Sequence, residues 1–301
     1  STRKESSAAS DVYKRQGRDK EKVEQIVEEV RKVKGVTLLD YSSDETHNRS
    51  VVTFVGEPEA VIEAAFNAAK KASEVIDMTT HQGGHPRMGA MDVCPLIPIK
   101  EVTMEEAIEL SKKLGKRIGD ELGISVYLYE KSASKPEREN LAVVRKGQYE
   151  GMEEKLKSEG WEPDFGPIEL NKKSGVSAVG ARMPLVAFNV NLSTDNVEIA
   201  KAIAKKIRAK GGGFAYCKAM GLLLEDKNLA QVSMNLVDYT HTSVYHAFEF
   251  IKREALRYGV NVVNSEVIGL VPMDALLDAA KWYLQIDEFD HSQVLETRLH
   301  D

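Results

Sequence analysis

The second half of the chain opens at residues 185–192 with Leu185-Val-Ala-Phe-Asn-Val-Asn-Leu192, a run rich in β-branched and aromatic residues that predicts a strand. The Ser-Thr-Asp triplet that follows can cap a helix, which we expect to end near Lys210. The pattern then predicts two strands, a helix and a strand, at residues 218–224, 229–237, 242–258 and 261–268. Strand, helix, strand, strand, helix, strand is the order of a ferredoxin-like domain.

The first half of the chain repeats most of this order. Helices are predicted over 19–33 and from Pro58 onward, and strands over 36–40 and 50–55. A further strand over 93–99 is expected at a sheet edge or with an irregular course, because two prolines interrupt it. Only a strand at the front is needed to complete the same motif.

Residues 1–16 stand where that front strand would be. They are polar and contain no strand-like run, so we expect a disordered or non-native lead. The sequence therefore predicts an α/β fold, an α+β sandwich, of two ferredoxin-like βαββαβ subdomains, the first of which lacks its first strand. We expect the lead at 1–16, the N-terminal subdomain at 17–182, the C-terminal subdomain at 183–286 and a tail at 287–301.

Composition excludes several classes of protein. With 301 residues, 42% of them hydrophobic, the chain can bury two cores. Lys and Arg total 41 against 47 Asp and Glu, so there is no overall basic footprint for nucleic acid. No apolar run reaches the roughly 20 residues of a membrane span and no signal-peptide pattern opens the chain, so we expect a cytoplasmic protein. The two cysteines, Cys94 and Cys217, are expected to be small buried residues.

Chemistry-bearing residues are densest in Asp77-Met-Thr-Thr-His81-Gln-Gly-Gly-His85-Pro-Arg87-Met-Gly89-Ala-Met-Asp92. Its glycines would let the backbone approach a ligand closely. His81 and His85 have the i, i+4 spacing of a zinc site, but the glycines and the proline argue against the helix that this spacing needs. Alternatively, the histidines hold a turn by hydrogen bonds, or His85 is a general base beside an anion-binding Arg87. Residue types alone leave these three hypotheses open.

A longer stretch favours one of the three hypotheses, the general-base role of His85, because it resembles a signature of a known family. Residues 85–98 have the sequence His85-Pro-Arg-Met-Gly-Ala-Met-Asp-Val-Cys-Pro-Leu-Ile-Pro98, which resembles the central signature of glutamate formiminotransferases. Other segments of the family pattern occur in the same order between Gly17 and Tyr283. They are Asn48-Arg49, Thr53-Phe-Val-Gly56, Pro163-Asp-Phe-Gly-Pro167, Gly180-Ala-Arg182, Ala187-Phe-Asn-Val-Asn-Leu192, Lys227-Asn-Leu-Ala-Gln-Val-Ser233 and Gly269-Leu-Val-Pro-Met-Asp-Ala-Leu-Leu-Asp-Ala-Ala280.

The resemblance implies transfer of the formimino group of N-formiminoglutamate to N5 of tetrahydrofolate, a step of histidine breakdown. His85 aligns with the family's catalytic histidine, which would take the N5 proton. Tetrahydrofolate would be a co-substrate, and no metal is expected. The family's folate-binding stretch aligns with residues 166–175, where the candidate folate-binding residues are Gly166, Pro167, Lys172, Lys173 and Gly175. The alternative for the two lysines is a solvated loop.

Arginine can hold a carboxylate with two parallel hydrogen bonds, so Arg49, Arg87 and Arg182 are candidates for the substrate carboxylates. Arg182 could instead tie the two halves of the chain together. Asp92 could orient a histidine or cap the following strand. Vertebrate members of the family form dimers through this region, so we expect a homodimer. Any cyclodeaminase activity, which in vertebrates is fused to the transferase, would have to come from a separate chain.

The chain departs from the family pattern at two places. The family opens with a strand and a Val-Pro-Asn-Phe-Ser-Glu-Gly stretch, of which only Gly17-Arg18-Asp19 is recognisable, so we expect reduced activity or stability. Gly84 stands where vertebrate members have an acidic residue, which weakens any proton relay through that position.

Two functions of other classes stay open. One is a hydrolase acting on formimino- or formylglutamate, with water in place of folate. The other is a non-catalytic folate-binding relative. In the predicted strand 229–237, Gln231 and Asn235 alternate with apolar residues, and they either line a cleft or form the wet face of a sheet.

Overall fold

The computed structural model describes residues 7–14, 17–44, 48–82 and 86–299. The chain divides into two compact units, Ser1–Arg182 and Met183–Asp301. Elements of the first unit, in chain order, are β1 (Ser7–Lys14), α1 (Lys20–Arg31), β2 (Val36–Asp44), β3 (Arg49–Gly56), α2 (Pro58–Val75), β4 (Met91–Lys100), α3 (Met104–Leu122), β5 (Ser125–Glu130), a 3₁₀ turn (Pro136–Arg138), α4 (Leu141–Val144), α5 (Gln148–Lys157) and β6 (Val176–Ala181).

Four strands of the first unit form a ferredoxin-like sheet in the order β2-β3-β1-β4. Each of these strands is antiparallel to its neighbour, and α1 and α2 are the two helices of the βαββαβ motif. β6 and β5 extend the sheet beyond β4, and both pairings there are parallel. The predicted ferredoxin-like motif is therefore confirmed in this unit, and it is enlarged by two strands.

The prediction that the first strand is missing is wrong, because Ser7–Lys14 forms that strand. β1 lies inside the sheet between β3 and β4, with Ala8 opposite Gly56 of β3. A strand with neighbours on both sides makes backbone hydrogen bonds along both edges whatever its side chains are, and this outweighs a weak strand propensity. The rest of the predicted lead at 1–16 lies outside the described residues.

β4 is an interior strand between β1 and β6, so it does not take the edge position that was one of the two alternatives predicted from its prolines. The other alternative, an irregular course, is observed, because its pairing with β1 shifts register near both ends. Its pairing with β6 covers only Val93–Leu96, and Pro98 lies past that ladder, where a missing N–H costs no hydrogen bond to β6. β6 itself was not predicted, since its side chains are small. Small residues are required there, because a Cβ on Gly180 would lie 2.3 Å from the carbonyl oxygen of Tyr129.

The first unit buries side chains on both faces of its sheet, because successive strand residues point to opposite sides. The cluster beneath α1, α2 and α3 includes Val27, Phe54, Ile62, Cys94 and Ile118. The cluster on the other face, with α4 and α5, includes Met88, Val93, Tyr127, Val144, Leu156 and Val176. Thr103 and Glu106, three residues apart, have the sequence pattern of a capping box, which predicts the start of a helix. The structure confirms it: α3 begins there, the Thr103 side chain accepts from the backbone N–H of Glu106, and the Glu106 side chain accepts from that of Thr103.

The elements of the second unit are β7 (Val186–Leu192), α6 (Val197–Ile207), a 3₁₀ turn (Ala209–Gly211), β8 (Cys217–Leu224), β9 (Leu229–Leu236), α7 (Val244–Arg257), β10 (Val262–Ile268), α8 (Met273–Leu284), a 3₁₀ turn (His291–Gln293) and α9 (Leu295–Leu299). Its sheet has the order β10-β7-β9-β8, a second ferredoxin-like motif, which confirms the predicted pair of such subdomains. The core of this unit lies between the sheet and two helices and includes Val190, Ile203, Cys217, Val232 and Ile251.

No helix in the described ranges of either unit is both long and apolar enough to cross a membrane.

Candidate active site

The segment densest in functional side chains is the signature loop, residues 76–90, which joins the end of α2 to the start of β4. Asp77 opens it with a turn in which its carboxylate accepts from the hydroxyl (2.6 Å) and the backbone N–H (2.9 Å) of Thr79. These hydrogen bonds lower the pKa of Asp77. Met78 and Met88 anchor the two ends of the segment, since both side chains are buried. His85 lies outside the described residues, so its predicted role stays a prediction.

Three backbone hydrogen bonds fasten this segment to the end of the stretch predicted to bind folate and to Val176, the residue that follows it. At 2.8–2.9 Å they join Met78 N to Lys173 O, Ala90 N to Ser174 O, and Val176 N to Met88 O. Two parts of the chain that are far apart in sequence thus form one backbone-linked structure. Both were proposed from the sequence to belong to the same site.

Gly89 and Gly175 make this close contact possible. They form an isolated antiparallel bridge, and Gly175 has a φ of +71°. A Cβ on Gly175 would lie 2.2 Å from the carbonyl oxygen of Met88, and one on Gly89 would lie 2.1 Å from that of Val176. Neither position can accept a side chain unless the backbone moves. Gly175, a predicted folate-binding residue, is therefore placed directly against the signature loop.

Asn48 joins three segments of the chain, although the sequence did not mark it as a site residue. It adopts the left-handed backbone conformation (φ +47°), which Asn tolerates better than most residues. Its Oδ1 accepts from the N–H of Gly17 (3.0 Å), and its Nδ2 donates to the carbonyl oxygen of Gln82 (2.9 Å). Its carbonyl oxygen lies 3.1 Å from Nε2 of His81. Arg49, the first residue of β3, is thereby held beside the loop.

Arg87 already holds a carboxylate within the chain. Its Nη2 lies 2.6 Å from Glu150 Oε1 and its Nη1 lies 3.2 Å from Oε2, a two-pronged contact. It also donates to the carbonyl oxygen of His81 (3.0 Å), and its guanidinium lies 5.9 Å from the centre of the Tyr149 ring. The Arg87 side chain is 11% exposed and that of Glu150 is 62% exposed. The hydrogen bond from Arg87 lowers the pKa of Glu150.

Asp92 stabilises the same loop through two contacts of its carboxylate, and it has no exposed surface. Its Oδ1 accepts from the N–H of Met88 (2.7 Å), and its Oδ2 pairs with Arg145, which follows α4. The predicted role of Asp92 toward a histidine stays a prediction. Arg145 was not found from the sequence, because nothing in its neighbourhood along the chain distinguishes it from a surface arginine.

The two predicted lysines differ in what they contact. Lys173 Nζ donates to the carbonyl oxygen of Glu74 (2.7 Å) in the last turn of α2, where the helix dipole favours a cation. Lys172 is exposed, and its carbonyl oxygen accepts from the hydroxyl of Tyr149 (2.6 Å). Tyr149 also lies under Arg87, so this hydrogen bond links the folate stretch to the arginine.

The remaining predicted residues lie farther from the loop. Gly166 (φ +82°) packs on the end of α3 and the start of β5, where a Cβ would lie 2.4 Å from the carbonyl oxygen of Ile124. The carbonyl oxygen of Pro167 accepts from the Ser125 hydroxyl (2.7 Å). Arg182 is buried just past the carboxyl end of β6, about 20 Å along that strand from the loop. Hydrogen bonds and backbone contacts therefore bring Arg87, Lys172, Lys173 and Gly175 together. Arg49 adjoins them through the backbone of Asn48, and Arg182 lies apart from them.

Two models from one known protein family together match nearly all of both units. A family model described as the formiminotransferase domain, N-terminal subdomain, matches residues 8–182, and one described as the formiminotransferase domain matches residues 187–298. The chain belongs to the formiminotransferase family.

Individual relatives extend over almost the full chain. It is 58% identical to the glutamate formimidoyltransferase of Streptococcus pyogenes serotype M1, over 94% of this chain and 95% of that protein. It is 48% identical to the glutamate formimidoyltransferase of Thermoplasma acidophilum, over 94% of each. The formimidoyltransferase-cyclodeaminase of Mus musculus is 44% identical over 89% of this chain, which covers 50% of that longer protein.

The formiminotransferase match begins at residue 8, inside β1, rather than at Gly17, where the resemblance was expected to start. Residues 8–14 of β1 therefore fall within the matched family domain. Among the described residues, no three His, Cys, Asp or Glu side chains are grouped so that they could hold a metal ion.

Proposed function

We infer that this formiminotransferase transfers the formimino group of N-formimino-L-glutamate to N5 of tetrahydrofolate, as a step of histidine degradation. The inference is supported above all by the 58% identity of the chain to a glutamate formimidoyltransferase, an alignment that covers 95% of that protein. The backbone-linked pair of signature loop and folate stretch is consistent with a site that must hold two substrates together. Holding two reactants in position can contribute roughly 7–11 kcal/mol in favourable cases.

The proposed reaction forms one C–N bond and breaks another. N5 of tetrahydrofolate attacks the amidine carbon of the donor while a base takes the N5 proton. The tetrahedral intermediate then expels the amino group of glutamate, which receives a proton as it leaves. We assign these proton transfers to His85 by its alignment with the family's catalytic histidine. Acid–base catalysis of this kind contributes about 10²–10⁴-fold to a rate.

Arg87 is proposed to bind a carboxylate of the glutamate moiety, in the place that Glu150 occupies. A guanidinium that is mostly enclosed and backed by the Tyr149 ring is prepared for a two-pronged carboxylate contact. Glu150 is the exposed partner, so its side chain can rotate away from Arg87 without exposing buried apolar residues. Arg49, held beside the loop through Asn48, is proposed as a second carboxylate ligand.

The folate assignment rests on the stretch 166–175. Gly166, Pro167 and Gly175 are proposed to shape the loop, and Lys172 and Lys173 to meet the glutamyl carboxylates of folate. Lys172 is the better candidate, because its ammonium makes no ion pair or hydrogen bond within the described ranges, whereas Lys173 caps α2. Arg182 is proposed as a further substrate ligand because a guanidinium can hold a carboxylate with two parallel hydrogen bonds.

We further propose that the enzyme works in the cytoplasm as a homodimer. Tetrahydrofolate is proposed as its only co-substrate, with no metal required.

The test is to mix the purified protein with formiminoglutamate and tetrahydrofolate and to follow 5-formiminotetrahydrofolate. His85→Ala should lower turnover at least about 100-fold. His241→Ala, which alters an exposed histidine of the second unit, is the matched control and should leave turnover unchanged. Glutamate release without tetrahydrofolate would instead identify a hydrolase. Folate binding without turnover would identify a non-catalytic relative, and loss of activity with a chelator would restore the metal hypothesis.

A further inference from the structure

Lys155 of α5 joins that helix to the end of α4. Its ammonium donates to the carbonyl oxygens of Val143 (2.7 Å), Val144 (2.6 Å) and Lys146 (3.4 Å). The last carbonyl groups of a helix have no partner within the helix, so a lysine side chain at that point satisfies them. An ammonium has three N–H donors, and all three are used here.

The ring of Trp161 covers the other side of this ammonium. Its centre lies 3.8 Å from Nζ of Lys155, within reach of a cation–π contact. Trp161 in turn packs edge-on against the buried ring of Tyr127, with 5.8 Å between the ring centres. Burial lowers the pKa of Lys155 to about 8, so enclosing the charge is costly, and the group is still charged at neutral pH. Lys155 therefore has a fixed place in the fold, unlike a solvated surface lysine.

The turn that Lys155 holds carries Arg145 toward the signature loop. Arg145 lies among the residues whose carbonyl oxygens accept from Lys155, and its guanidinium pairs with the enclosed carboxylate of Asp92. The other oxygen of that carboxylate accepts from the N–H of Met88 in the loop (2.7 Å). A continuous series of polar contacts thus runs from Lys155 to the backbone beside Arg87.

The backbone of this turn needs support from outside it. Gln148, the first residue of α5, has a φ of +53°, a left-handed conformation that side chains other than those of Gly, Asn and Asp rarely adopt. Such a conformation persists only where surrounding contacts stabilise it. The three hydrogen bonds of Lys155 supply contacts of this kind, because they tie α5 to the residues just before Gln148.

We propose that Lys155 is a positioning residue of the transferase. By holding the turn after α4, it fixes Arg145 and, through Asp92, the end of the signature loop that carries Arg87. Its effect on the reaction rests on the proposed function, in which Arg87 binds a carboxylate of the donor. Lys155 acts through these other groups and is assigned no contact with a substrate.

A simple helix cap is the alternative role for Lys155. Removing a cap would lower the stability of the first unit as a whole and weaken its contacts together. The proposed role predicts a local effect instead. The Met88 end of the signature loop should loosen, whereas the Met78 end should not, because Met78 N donates separately to the carbonyl oxygen of Lys173.

Amide hydrogen exchange separates these two roles. NMR of protein whose methionines alone carry an isotope-labelled nitrogen follows one backbone signal for each of the nine methionines. Lys155→Leu removes the three donors and adds no methionine. Protection of the Met88 N–H against exchange should fall by at least about tenfold, while that of Met78 and of Met234, in the interior strand β9, should change by less than about twofold.

Two further variants are the controls for this measurement. Lys155→Arg keeps the charge and the donors, so it should hold Met88 protection within about threefold of wild type. Lys157→Leu alters an exposed lysine on the same helix that pairs with Glu153, and it should leave all three amides unchanged. Should Lys155→Leu not fold, Lys155→Gln, which has fewer donors and no charge, replaces it and should lower protection at Met88 alone.

Kinetics test the effect on the reaction. Lys155→Leu should raise the KM for formiminoglutamate by roughly three- to tenfold and change the KM for tetrahydrofolate by less than about twofold. The tetrahydrofolate value should hold because residues 171–175 have backbone hydrogen bonds that do not involve the turn after α4. Lys155→Arg should restore the KM for formiminoglutamate.

Unchanged Met88 protection in Lys155→Leu would overturn the inference and leave the proposed function standing. Equal loss of protection at Met88, Met78 and Met234 would also overturn it, since that result identifies a cap with only a general effect on stability. A rise in the KM for tetrahydrofolate as large as that for formiminoglutamate would reject the link to Arg87. If the wild-type protein turns over no formiminoglutamate, the proposed function fails, and the exchange measurement still decides whether Lys155 holds the loop.

Discussion

The two units present their polar groups in different ways. In the first unit, Arg87 and Asp92 lie on or beside irregular backbone that glycine contacts hold against the start of β6. In the second unit, Asn189, Gln231 and Glu266 lie on neighbouring strands and are spaced by sheet register. The polar groups of the first unit are positioned by close backbone contacts that leave no room for a side chain. Those of the second unit are positioned by side-chain hydrogen bonds on a regular sheet. Single substitutions should therefore disturb the polar groups of the first unit more than those of the second.

The largest expected effect is that of Gly175→Ala in the first unit. Its Cβ would lie 2.2 Å from the carbonyl oxygen of Met88, so the bridge to the signature loop must break. We expect the free energy of unfolding to fall by roughly 3 kcal/mol or more. Gly123→Ala is the control, because that glycine also has a positive φ (+61°) but nothing lies within 4 Å of its Cβ position, and it should cost about 1 kcal/mol. Urea unfolding of both variants measures the difference, and equal losses would show that the contact does not hold the loop.

The next effect comes from Arg145→Met, which leaves the enclosed carboxylate of Asp92 without its cation. Removing one partner of a buried pair costs about 3–5 kcal/mol, and we expect the lower end because Arg145 is 15% exposed. Lys157→Met removes an exposed partner of Glu153 and should cost less than about 1 kcal/mol. Chemical denaturation compares the two variants. A cost for Arg145→Met as small as that of Lys157→Met would mean that the pair does not brace the loop.

In the second unit, Gln231→Met removes an amide that donates to both Asn191 and Glu266. Met has a similar length, so the change isolates the hydrogen bonds, and we expect a loss of about 1–2 kcal/mol in the free energy of unfolding. Asn235→Ala, on the same strand but exposed, should change stability by less than about 0.5 kcal/mol. If Gln231→Met cost as much as Gly175→Ala, the contrast between the two units would not hold.

The smallest effect concerns binding and tests whether Glu150 stands in for a substrate carboxylate. Glu150→Gln weakens the internal competitor for Arg87, so binding of glutamate should tighten by about two- to fivefold, the worth of an exposed ion pair. Glu153→Gln on the same helix is the control and should leave the affinity unchanged. Calorimetric titration with glutamate measures both, and weaker binding to Glu150→Gln would show that Glu150 belongs to the site and does not compete for it.

The pH dependence of this pair follows from the lowered pKa of Glu150. A lowered carboxyl pKa means that the contact with Arg87 is complete above the ordinary carboxyl pKa and is lost as pH falls through the lowered value. The affinity difference between wild type and Glu150→Gln should therefore be largest near neutral pH and shrink in acid. A difference that grows as pH falls would contradict the contact.

Sequence patterns identified candidate site residues only where those residues stand in a local motif. Arg87 and Gly175 were found because they stand in recognisable motifs, and the structure places them within one backbone-linked region. Asn48 and Arg145 were missed, since their roles arise from contacts with residues distant in sequence. β1 was also missed, because its residues have little strand propensity of their own and are ordered by neighbours on both sides.

The sequence by itself determined the element order of the second ferredoxin-like unit and, apart from β1, the ferredoxin-like order of the first. It also determined the capping box that starts α3 and membership of a transferase family through an ordered set of motifs. These follow from local signals, namely periodicity, caps and residue identity, which do not depend on the rest of the fold. Only the tertiary structure decided that β1 completes the first sheet and that Glu150 forms an ion pair with Arg87. It also decided that Glu266 accepts hydrogen bonds from two amide side chains. Each of these depends on groups from separate parts of the chain meeting at hydrogen-bond distance, and no local pattern records such a meeting.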